Sequence, residues 1–409
     1  MRPPEGPDRV AESITLAGLE NDPHHVLARL RAAAPACWVP VLGAWLVTGY
    51  DLAVAVLRDS RTFTVDDPRF STAKVVGPSM LSLDGGPHAR HRARFTRPFR
   101  SGEIHARLGS FTRAEAGRLV SAIRPLGEAE LRRAVAGPLA VAVMAEALGL
   151  GHTEPTSPAT ILGWYDGIVA AVQAEASGSR TEVDSGAKAF AELAASLRRV
   201  TAEPESASLL ADAAAGPGPV TEAEAAAGSG ALSETETISN AAVLMFGGIE
   251  TTEGMIANAV LHLLSHPGEL ELVRADPGLI PAAIEESLRL EPAAAVVDRY
   301  ATRDAELGGT RIRAGDQVTV SLAGANRDPR IFDNPDAFRI RRPDVNRQLA
   351  FAHGPHFCLG AHLARLEAQV AVATLLDLLP GLRLDDKYPA APRGLVFRKP
   401  PDLRVHWDP

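Results

Sequence analysis

The sequence contains only two cysteines, Cys37 and Cys358, in a chain of 409 residues. Two thiols are too few for a disulfide framework in a chain of this size, so we expect both to be reduced. No run of about 18 apolar residues occurs, and the N-terminal segment has no apolar stretch of signal-peptide length. The sequence therefore predicts a cytoplasmic protein that neither crosses a membrane nor carries a disulfide scaffold.

A basic excess is also lacking. The chain has 42 lysines and arginines against 50 acidic residues, and its net charge of -8 argues against a general nucleic-acid binder. The hydrophobic share of 46% and the charged share of 22% are typical of a globular protein that buries a sizeable core. This length permits one large domain, and we expect residues 1–409 to form a single one.

Helical patterns dominate the chain. Residues 24–60 predict a helix, a hairpin and a second helix, and residues 61–86 predict a long irregular segment of the kind that covers a binding site. Residues 88–200 are mainly helical in pattern. Residues 202–232 have low complexity, which predicts a short helix with an exposed linker.

The longest predicted helix begins at a capping box formed by Ser233 and Glu236, and it ends before His266-Pro267-Gly268. At 1.5 Å per residue it would be roughly 50 Å long, enough to cross the whole molecule. The C-terminal third predicts a helix at LIPAAIEESLRL, short strands around AVVDRYA and TRIRAGDQVTV, a helix at 359–378 and closing strands. The expected fold class is mainly α with small β-sheets.

The segment FAHGPHFCLG, Phe351 to Gly360, gives one cysteine unusual neighbours. A thiolate that ligates iron must be deprotonated and shielded from water. Gly354 would let the backbone turn closely beneath a flat ring, and Cys358 stands just before a helix whose N-terminal dipole favours an anion. A buried turn that merely contains a cysteine would leave the glycines and His356 unexplained. Cys37, in contrast, lies in an apolar strand-like stretch and is interpreted as a small buried side chain.

This decapeptide resembles the FxxGx[HR]xCxG haem-binding loop of the cytochrome P450 family, soluble bacterial type, and the resemblance extends across nearly the whole chain. It implies that Cys358 is the axial ligand of a non-covalent haem b, with Phe351, His356 and Gly360 against the cofactor. It also implies a cytochrome P450-like fold in which the long central helix lies over the haem. No C-x-x-C-H occurs, so covalent attachment is not indicated.

A second element, Gly247-Gly248-Ile249-Glu250-Thr251, lies in the middle of the long helix. Two glycines inside a helix cost about 1 kcal/mol each relative to alanine, which indicates that something approaches the backbone there. A packing notch beside an exposed glutamate would also explain the pattern. The stretch is similar to the family's [AG]Gx[DE]T motif, which implies that Gly248 contacts the haem, Glu250 relays protons and Thr251 binds oxygen.

Glu286 and Arg289 form a pair of opposite charges three residues apart on one helix face. Such a pair alone is most often a surface salt bridge. Its position resembles the family's ExxR, which implies a buried structural pair that braces the cysteine loop. The family's third partner comes from a PxRF-like pattern, but this chain has Pro335-Asp336-Ala337-Phe338, so that partner is missing or is supplied from elsewhere.

The carboxylates of a haem need cations or hydrogen-bond donors around them in an acidic protein. His88 and Arg92, one helical turn apart, resemble the family's HxxxR, and Arg299 matches its arginine on the strand after ExxR. Together with His356, these residues are the implied partners. The arginine-rich segment also fits a solvated helix face, and both readings are compatible with a docking surface for an acidic electron donor.

The resemblance implies a haem-thiolate monooxygenase that uses O2 to hydroxylate or otherwise oxidise a small, largely apolar organic substrate, in secondary metabolism. A thiolate ligand favours O–O cleavage. Because no G-x-G-x-x-G fingerprint occurs, electrons from NAD(P)H are expected to arrive through a separate ferredoxin and its reductase. The candidate substrate contacts are Val76, Met80, Met245, Phe246, Ala294, Val297 and Val396.

Two other functions stay open on the sequence. A haem-thiolate sensor or binding protein would keep Cys358 but would not need Glu250 and Thr251. A family member with peroxide-driven, ring-coupling or nitrating chemistry would keep every motif. Nothing near Cys358 names the substrate.

Overall fold

The computed structural model describes residues 7–150, 157–177, 180–202, 208–215 and 231–408. The helices in these ranges are α1 Pro7–Glu12, α2 Leu16–Asn21, α3 Pro23–Ala33, α4 Tyr50–Arg58, α5 Ser71–Val76, α6 Gly85–Thr96, α7 Ser101–Ile123, α8 Gly137–Leu148, α9 Pro158–Ser177, α10 Arg180–Ala202, α11 Leu209–Ala215, α12 Glu234–Ser265, α13 Pro267–Ala275, α14 Ile280–Leu290, α15 Leu322–Ala325 and α16 Ala361–Leu378. The strands are β1 Ala36–Val39, β2 Ala44–Val47, β3 Phe63–Thr64, β4 Glu128–Glu130, β5 Val296–Ala301, β6 Ala305–Leu307, β7 Thr310–Ile312, β8 Gln317–Ser321, β9 Arg383–Leu384 and β10 Arg404–His406. The expected class, mainly α with small sheets, is confirmed.

Helix α12 runs through the core and has the predicted beginning and end. The Ser233 hydroxyl accepts a hydrogen bond from the Glu236 N–H (3.2 Å), and the Glu236 carboxylate accepts one from the Ser233 N–H (2.8 Å), so the capping box is confirmed. The helix packs against α8, α14 and α16 and is therefore buried on most of its surface. Neither α12 nor any other described helix is long and apolar enough to span a bilayer.

A five-stranded sheet with the order β1-β2-β8-β5-β3 lies beside the helical part. The β1–β2 hairpin turns at Gly43, whose φ of +58° is easy only for glycine. Strands β2 and β8 are parallel, and the other neighbours are antiparallel. The sheet places Val297 of β5 in the wall of the cavity described below.

The segment 61–86 is more regular than predicted. Strand β3 pairs with β5 through Phe63 and Ala301, the helix α5 packs against α9 and α10, and α6 already begins at Gly85. A two-residue strand and a six-residue helix are too short to give a periodic hydrophobic pattern in the sequence. Contacts with distant segments stabilise them instead. In the low-complexity stretch 202–232, α11 is a short helix as expected, while residues 203–207 and 216–230 of the predicted linker lie outside the described residues.

Candidate active site

A cavity lies between the middle of α12 and the segment that precedes α16. It contains about 1230 Å³ of space free of protein atoms, part of which is open to solvent. Residues 243–255 of α12 and residues 350–360 of the cysteine loop both contribute to its lining. The lining is mainly apolar, and its polar side chains among the described residues are Arg92, Thr251, Thr252, His356, Cys358 and Glu367.

The cysteine loop is held in shape by backbone hydrogen bonds. The Cys358 N–H donates to the Phe351 carbonyl (2.9 Å), and Arg92 donates to the Phe357 carbonyl (2.6 Å). The Cys358 side chain is accessible from the cavity although protein surrounds it on its other sides. Burial raises the pKa of its thiol, and the N–H of Gly360 with the nearby guanidinium of Arg92 opposes that rise.

A side chain would meet different surroundings at Gly354 and at Gly360. Gly354 has a φ of +73°, and a Cβ there would lie 2.5 Å from the Leu57 carbonyl oxygen at the end of α4. The close approach predicted for this glycine is therefore to the backbone of another element, not only to a ring. A Cβ on Gly360 would make an ordinary contact of 4.0 Å with Cys358 Sγ.

The two adjacent glycines of α12 also have different neighbours. A Cβ on Gly247 would meet no described atom within 4 Å, and this residue lines the cavity. A Cβ on Gly248 would overlap the terminal methyl of Met144, a residue of α8. The Thr251 hydroxyl lies one turn further and donates to the Gly247 carbonyl (2.5 Å). Gly247 thus opens the helix to the cavity, and Gly248, which also lines the cavity, lets α8 pack closely.

Glu250 directs its carboxylate away from the cavity. It accepts hydrogen bonds from the Tyr165 hydroxyl of α9 and from the Lys399 ammonium at 2.8 Å. Lys399 is shared with Glu253, whose other oxygen binds Arg132 at 2.7 Å. Successive helix residues point about 100° apart, so Glu250 and Thr251 face different directions.

A cluster of basic groups lies beside the cysteine loop. The rings of His88 and His356 are 4.3 Å apart, and His356 Nε2 is 2.9 Å from an oxygen of Asp84. His88 Nε2 is buried and has no hydrogen-bond partner among the described residues, and burial lowers the pKa of His88 to about 4. Arg299 is 5% exposed and donates to the Asp298 carbonyl (2.7 Å). Burial lowers the pKa of Arg299 to about 10.

The Glu286–Arg289 pair is fully buried and has a third member. Glu286 binds Arg289 at 2.7 Å and 2.8 Å, and it binds Arg342 at 3.0 Å and 3.1 Å. Arg289 also donates to the carbonyls of Asn326, Pro335 and Ala337. The missing partner is therefore Arg342. It stands four residues after Phe338, outside the PxRF-like pattern.

The residue before this pair connects helix α14 to the cysteine loop. Glu285 binds Arg365 at 2.6 Å and 3.0 Å. The Arg365 guanidinium lies 4.4 Å from the centre of the Phe351 ring. Helix α14 thus reaches the first residue of the loop through one arginine of α16.

Comparison with known proteins agrees with this architecture. A family model described as Cytochrome P450 matches residues 219–379. Cytochrome P450 monooxygenase PikC of Streptomyces venezuelae is 36% identical over 94% of this chain and 89% of its own length. The chain belongs to the cytochrome P450 family.

Other members of the cytochrome P450 family are similar over the same extent. Nocardicin C N-oxygenase of Nocardia uniformis subsp. tsuyamanensis is 33% identical over 94% of this chain and 96% of its own length. The crystal structure of P450BioI in complex with hexadec-9Z-enoic acid ligated acyl carrier protein superimposes with a TM-score of 0.81. It is 30% identical and covers 95% of this chain and 99% of that one.

The haem of cytochrome P450 enzymes fits the residues present. The thiol of Cys358 faces the cavity, and the opposite wall offers the open surface of Gly247. The unpartnered Nε2 of His88 and the poorly paired, buried Arg299 are donors that a haem carboxylate would satisfy. Arg92 lines the cavity beside them.

The structure separates the predicted substrate contacts into two sets. Met80, Ala294 and Val297 line the cavity. The other four lie outside its lining: Val76 and Met245 are 1% exposed and pack in the core, Phe246 packs between Tyr165 and Phe397, and Val396 lies at the surface. On α12, Met245 and Phe246 face away because the cavity takes the Val243, Leu244 and Gly247 face. Sequence patterns did not identify Leu81, Val243 or Leu244.

Glu367 of α16 lines the cavity but was not predicted as a site residue. It is 2% exposed, and its Oε2 has no hydrogen-bond partner among the described residues. Burial raises the pKa of this carboxyl well above its usual value of 4.5. The folded state therefore keeps a proton that the unfolded chain releases above that pH, so this group makes folding less favourable as the pH rises.

We expect Glu367→Gln to raise the melting temperature at pH 7. The gain should shrink towards zero as the pH falls to about 4.5, where the unfolded chain also holds the proton. Thermal unfolding followed by circular dichroism over this pH range checks it, with the exposed Glu271→Gln as the control. A gain that is independent of pH would contradict the protonated state.

Proposed function

We propose that this chain is a haem-thiolate monooxygenase, in which Cys358 would supply the thiolate that binds the iron of haem b and Thr251 would lie in the same cavity. The observation that carries the proposal is that one cavity is lined both by Cys358 and by Gly247 and Thr251 of α12. We propose that residues 1–409 form one haem-binding domain, since the relatives match across 94% of the chain.

Four basic residues are proposed to hold the haem carboxylates: His88, Arg92, Arg299 and His356. When bound, the haem supplies electron transfer and oxygen activation through its thiolate-ligated iron. The hydrogen-bond donors of these four residues would replace the hydrogen bonds that the haem carboxylates lose on leaving water. Phe351, Gly360 and Gly248 give the flat ring apolar cover and room.

Thr251 and Glu250 are proposed to hold and move protons in two successive positions. The Thr251 hydroxyl lies at the cavity wall and rotates away from the Gly247 carbonyl to donate its proton into the cavity. Glu250 would take up a proton from solvent, leave Tyr165 and Lys399, which hold its carboxylate outside the lining, and pass that proton to the Thr251 hydroxyl. This order places the alcohol next to the reaction and the acid behind it.

The proposed substrate is a largely apolar organic molecule of secondary metabolism. Met80, Leu81, Val243, Leu244 and Val297 give the lining its apolar character. One of the relatives, nocardicin C N-oxygenase, acts on a small organic molecule, nocardicin C, as its name states. Hydroxylation of an unactivated C–H bond is the simplest reaction that such a lining supports.

The electrons are proposed to come from NAD(P)H through a ferredoxin and a ferredoxin reductase in the cytoplasm, with O2 as co-substrate. The sequence has no G-x-G-x-x-G fingerprint for a nicotinamide nucleotide, which favours separate redox proteins. The arginine-rich helix α6 carries positive charge next to the cysteine loop, where it would attract an acidic ferredoxin.

Thr251→Ala is expected to uncouple NADPH oxidation from product formation. With a surrogate ferredoxin and reductase, we expect NADPH to be consumed while product per NADPH falls about ten-fold or more and hydrogen peroxide rises, because the hydroxyl that delivers the proton is gone. Thr251→Ser, which keeps the hydroxyl, should retain most of the coupling. Unchanged coupling in Thr251→Ala would show that this residue is not in the proton path. If the parent protein shows no substrate-dependent consumption of NADPH, a haem-binding or sensor function is indicated instead.

A further inference from the structure

Asn240 joins three elements in the core next to the cavity. It is fully buried on α12, one turn before the cavity-lining Val243 and Leu244. Its side-chain oxygen accepts a hydrogen bond from the Met80 N–H (2.8 Å). Its amide nitrogen donates to the Glu236 carbonyl (2.7 Å) and lies 2.9 Å from His91 Nδ1. The three hydrogen bonds of this amide therefore reach α12, α6 and the segment before α6.

The hydrogen-bond directions determine the state of His91. Because the Asn240 amide donates to Nδ1, His91 accepts there and carries its proton on Nε2, which lies 3.3 Å from Glu236 Oε1. Burial lowers the pKa of His91, in agreement with a neutral ring, although Glu236 opposes the shift. Glu236 is held in turn by Arg90 and by the Ser233 N–H. The asparagine is thus fixed from both sides.

The segment that Asn240 holds, Gly77–Leu83, is a compact turn in which Ser79, Met80 and Ser82 are buried. The Ser79 carbonyl accepts from the N–H groups of Ser82 and Leu83, and the Ser79 hydroxyl accepts from the Leu81 N–H. Gly77 has a φ of +84°, and a Cβ there would lie 3.0 Å from the Ser239 hydroxyl of α12. Met80 and Leu81 of this turn line the cavity together with Val243 and Leu244.

We propose that Asn240 is a specificity-determining positioning residue, which clamps the Gly77–Leu83 turn onto α12 and thereby sets the width of the substrate cavity without touching the substrate. Two walls of the cavity come from segments more than 150 residues apart in the chain, and the Met80–Asn240 bond joins them directly. A buried hydrogen bond is costly to leave unmade, so this bond holds both walls at one separation. The inference rests on the proposed use of this cavity for substrate.

The experiment compares Asn240→Leu with Asn258→Leu in the haem-loaded protein. Leucine is similar in size to asparagine but can neither accept from Met80 nor donate to His91. Asn258 is the matched control, because it is also fully buried on α12 but donates to the carbonyls of Glu291 and Arg398. Hydrogen exchange of the 77–83 amides and spectral titrations with 4-phenylimidazole and imidazole are the measurements.

In Asn240→Leu, we expect exchange of the Met80 amide to rise about ten-fold or more, with β1, β2 and α16 unchanged. The dissociation constant of 4-phenylimidazole should rise about ten-fold, because its ring needs a defined wall, while that of the smaller imidazole changes less than two-fold. Asn258→Leu should leave both the Met80 amide and the ratio of the two constants as in the parent. Equal changes for both ligands, or an unchanged Met80 amide, would overturn the proposal.

Gly77→Ala provides an independent route if Asn240→Leu does not fold. The added methyl strains the turn at its positive φ and presses on Ser239, while Asn240 stays in place. The same selective loss of 4-phenylimidazole binding is expected, and an unchanged ratio of the two constants would count against the clamp. Exchange of the Met80 amide does not depend on catalysis, so it distinguishes failure of the clamp from failure of the proposed monooxygenase function.

Discussion

Cys358→Ala is expected to abolish the red-shifted Soret band of the reduced, carbon monoxide-bound protein and to lower monooxygenase activity below detection. In the proposed site the Cys358 thiolate would donate electron density to the haem iron, and alanine offers no ligand in its place. The measurement is the reduced carbon monoxide difference spectrum, together with product formation in the reconstituted system. Cys37→Ala is the matched control, because Cys37 is the second cysteine of the chain and lies in strand β1.

The loop itself should survive this substitution. Its shape depends on backbone groups, namely the Cys358 N–H on the Phe351 carbonyl and the Phe357 carbonyl on Arg92, and alanine keeps both. The far-ultraviolet circular dichroism of Cys358→Ala should therefore match that of the parent. A retained red-shifted band, or its loss in Cys37→Ala instead, would refute the assignment of the ligand.

Arg342→Met is expected to lower the free energy of unfolding by about 3–5 kcal/mol and to weaken haem retention. The guanidinium is 4% exposed, binds both oxygens of the fully buried Glu286, and donates to the carbonyls of Asp333, Asn334 and Ala337. Removing one partner of a buried ionic cluster leaves charge and carbonyls without compensation. Urea unfolding followed by tryptophan fluorescence, and transfer of haem to an acceptor globin, measure the two effects.

Arg341→Met separates this effect from a general loss of positive charge. Arg341 is the neighbouring residue and is exposed, so the same substitution there should change the free energy of unfolding by less than about 0.5 kcal/mol. Equal urea midpoints for the two variants would show that Arg342 does not brace the fold. The free energy of unfolding of Arg342→Lys should lie between those of Arg342→Met and Arg341→Met. A lysine keeps the charge but not the planar set of donors that binds Glu286 and three carbonyls.

Local sequence signals predicted several parts of the structure correctly. The capping box at Ser233 and Glu236 predicted the start of α12, and Pro267 predicted its end, because both signals act within a few residues of the helix terminus. The turn at Gly43 in the β1–β2 hairpin likewise depends on a residue within the turn itself. The spacing around Cys358 placed it in a loop before the last long helix, since the glycines and the helix start lie within the same short segment.

Contacts between distant segments could not be predicted in this way. The third member of the Glu286 cluster, Arg342, lies outside the 335–338 pattern, and only folding brings its guanidinium to that carboxylate. The glycine at 354 is required by the Leu57 carbonyl of α4, almost 300 residues earlier in the chain. Glu250 adjoins Thr251 in sequence, yet Tyr165 and Lys399 turn its carboxylate away from the cavity.

The sequence by itself predicted the helical class and the long central helix, and it marked the cysteine, acid, alcohol and basic residues as candidates, because each signal depends on spacing within a short segment. Only the tertiary structure decided which residues line the cavity, which arginine completes the bracing cluster, and that Asn240 holds Met80 in place. Those features depend on where separate elements meet. Their positions follow from the packing of the whole core and from the need to satisfy each buried polar group, which no single segment encodes.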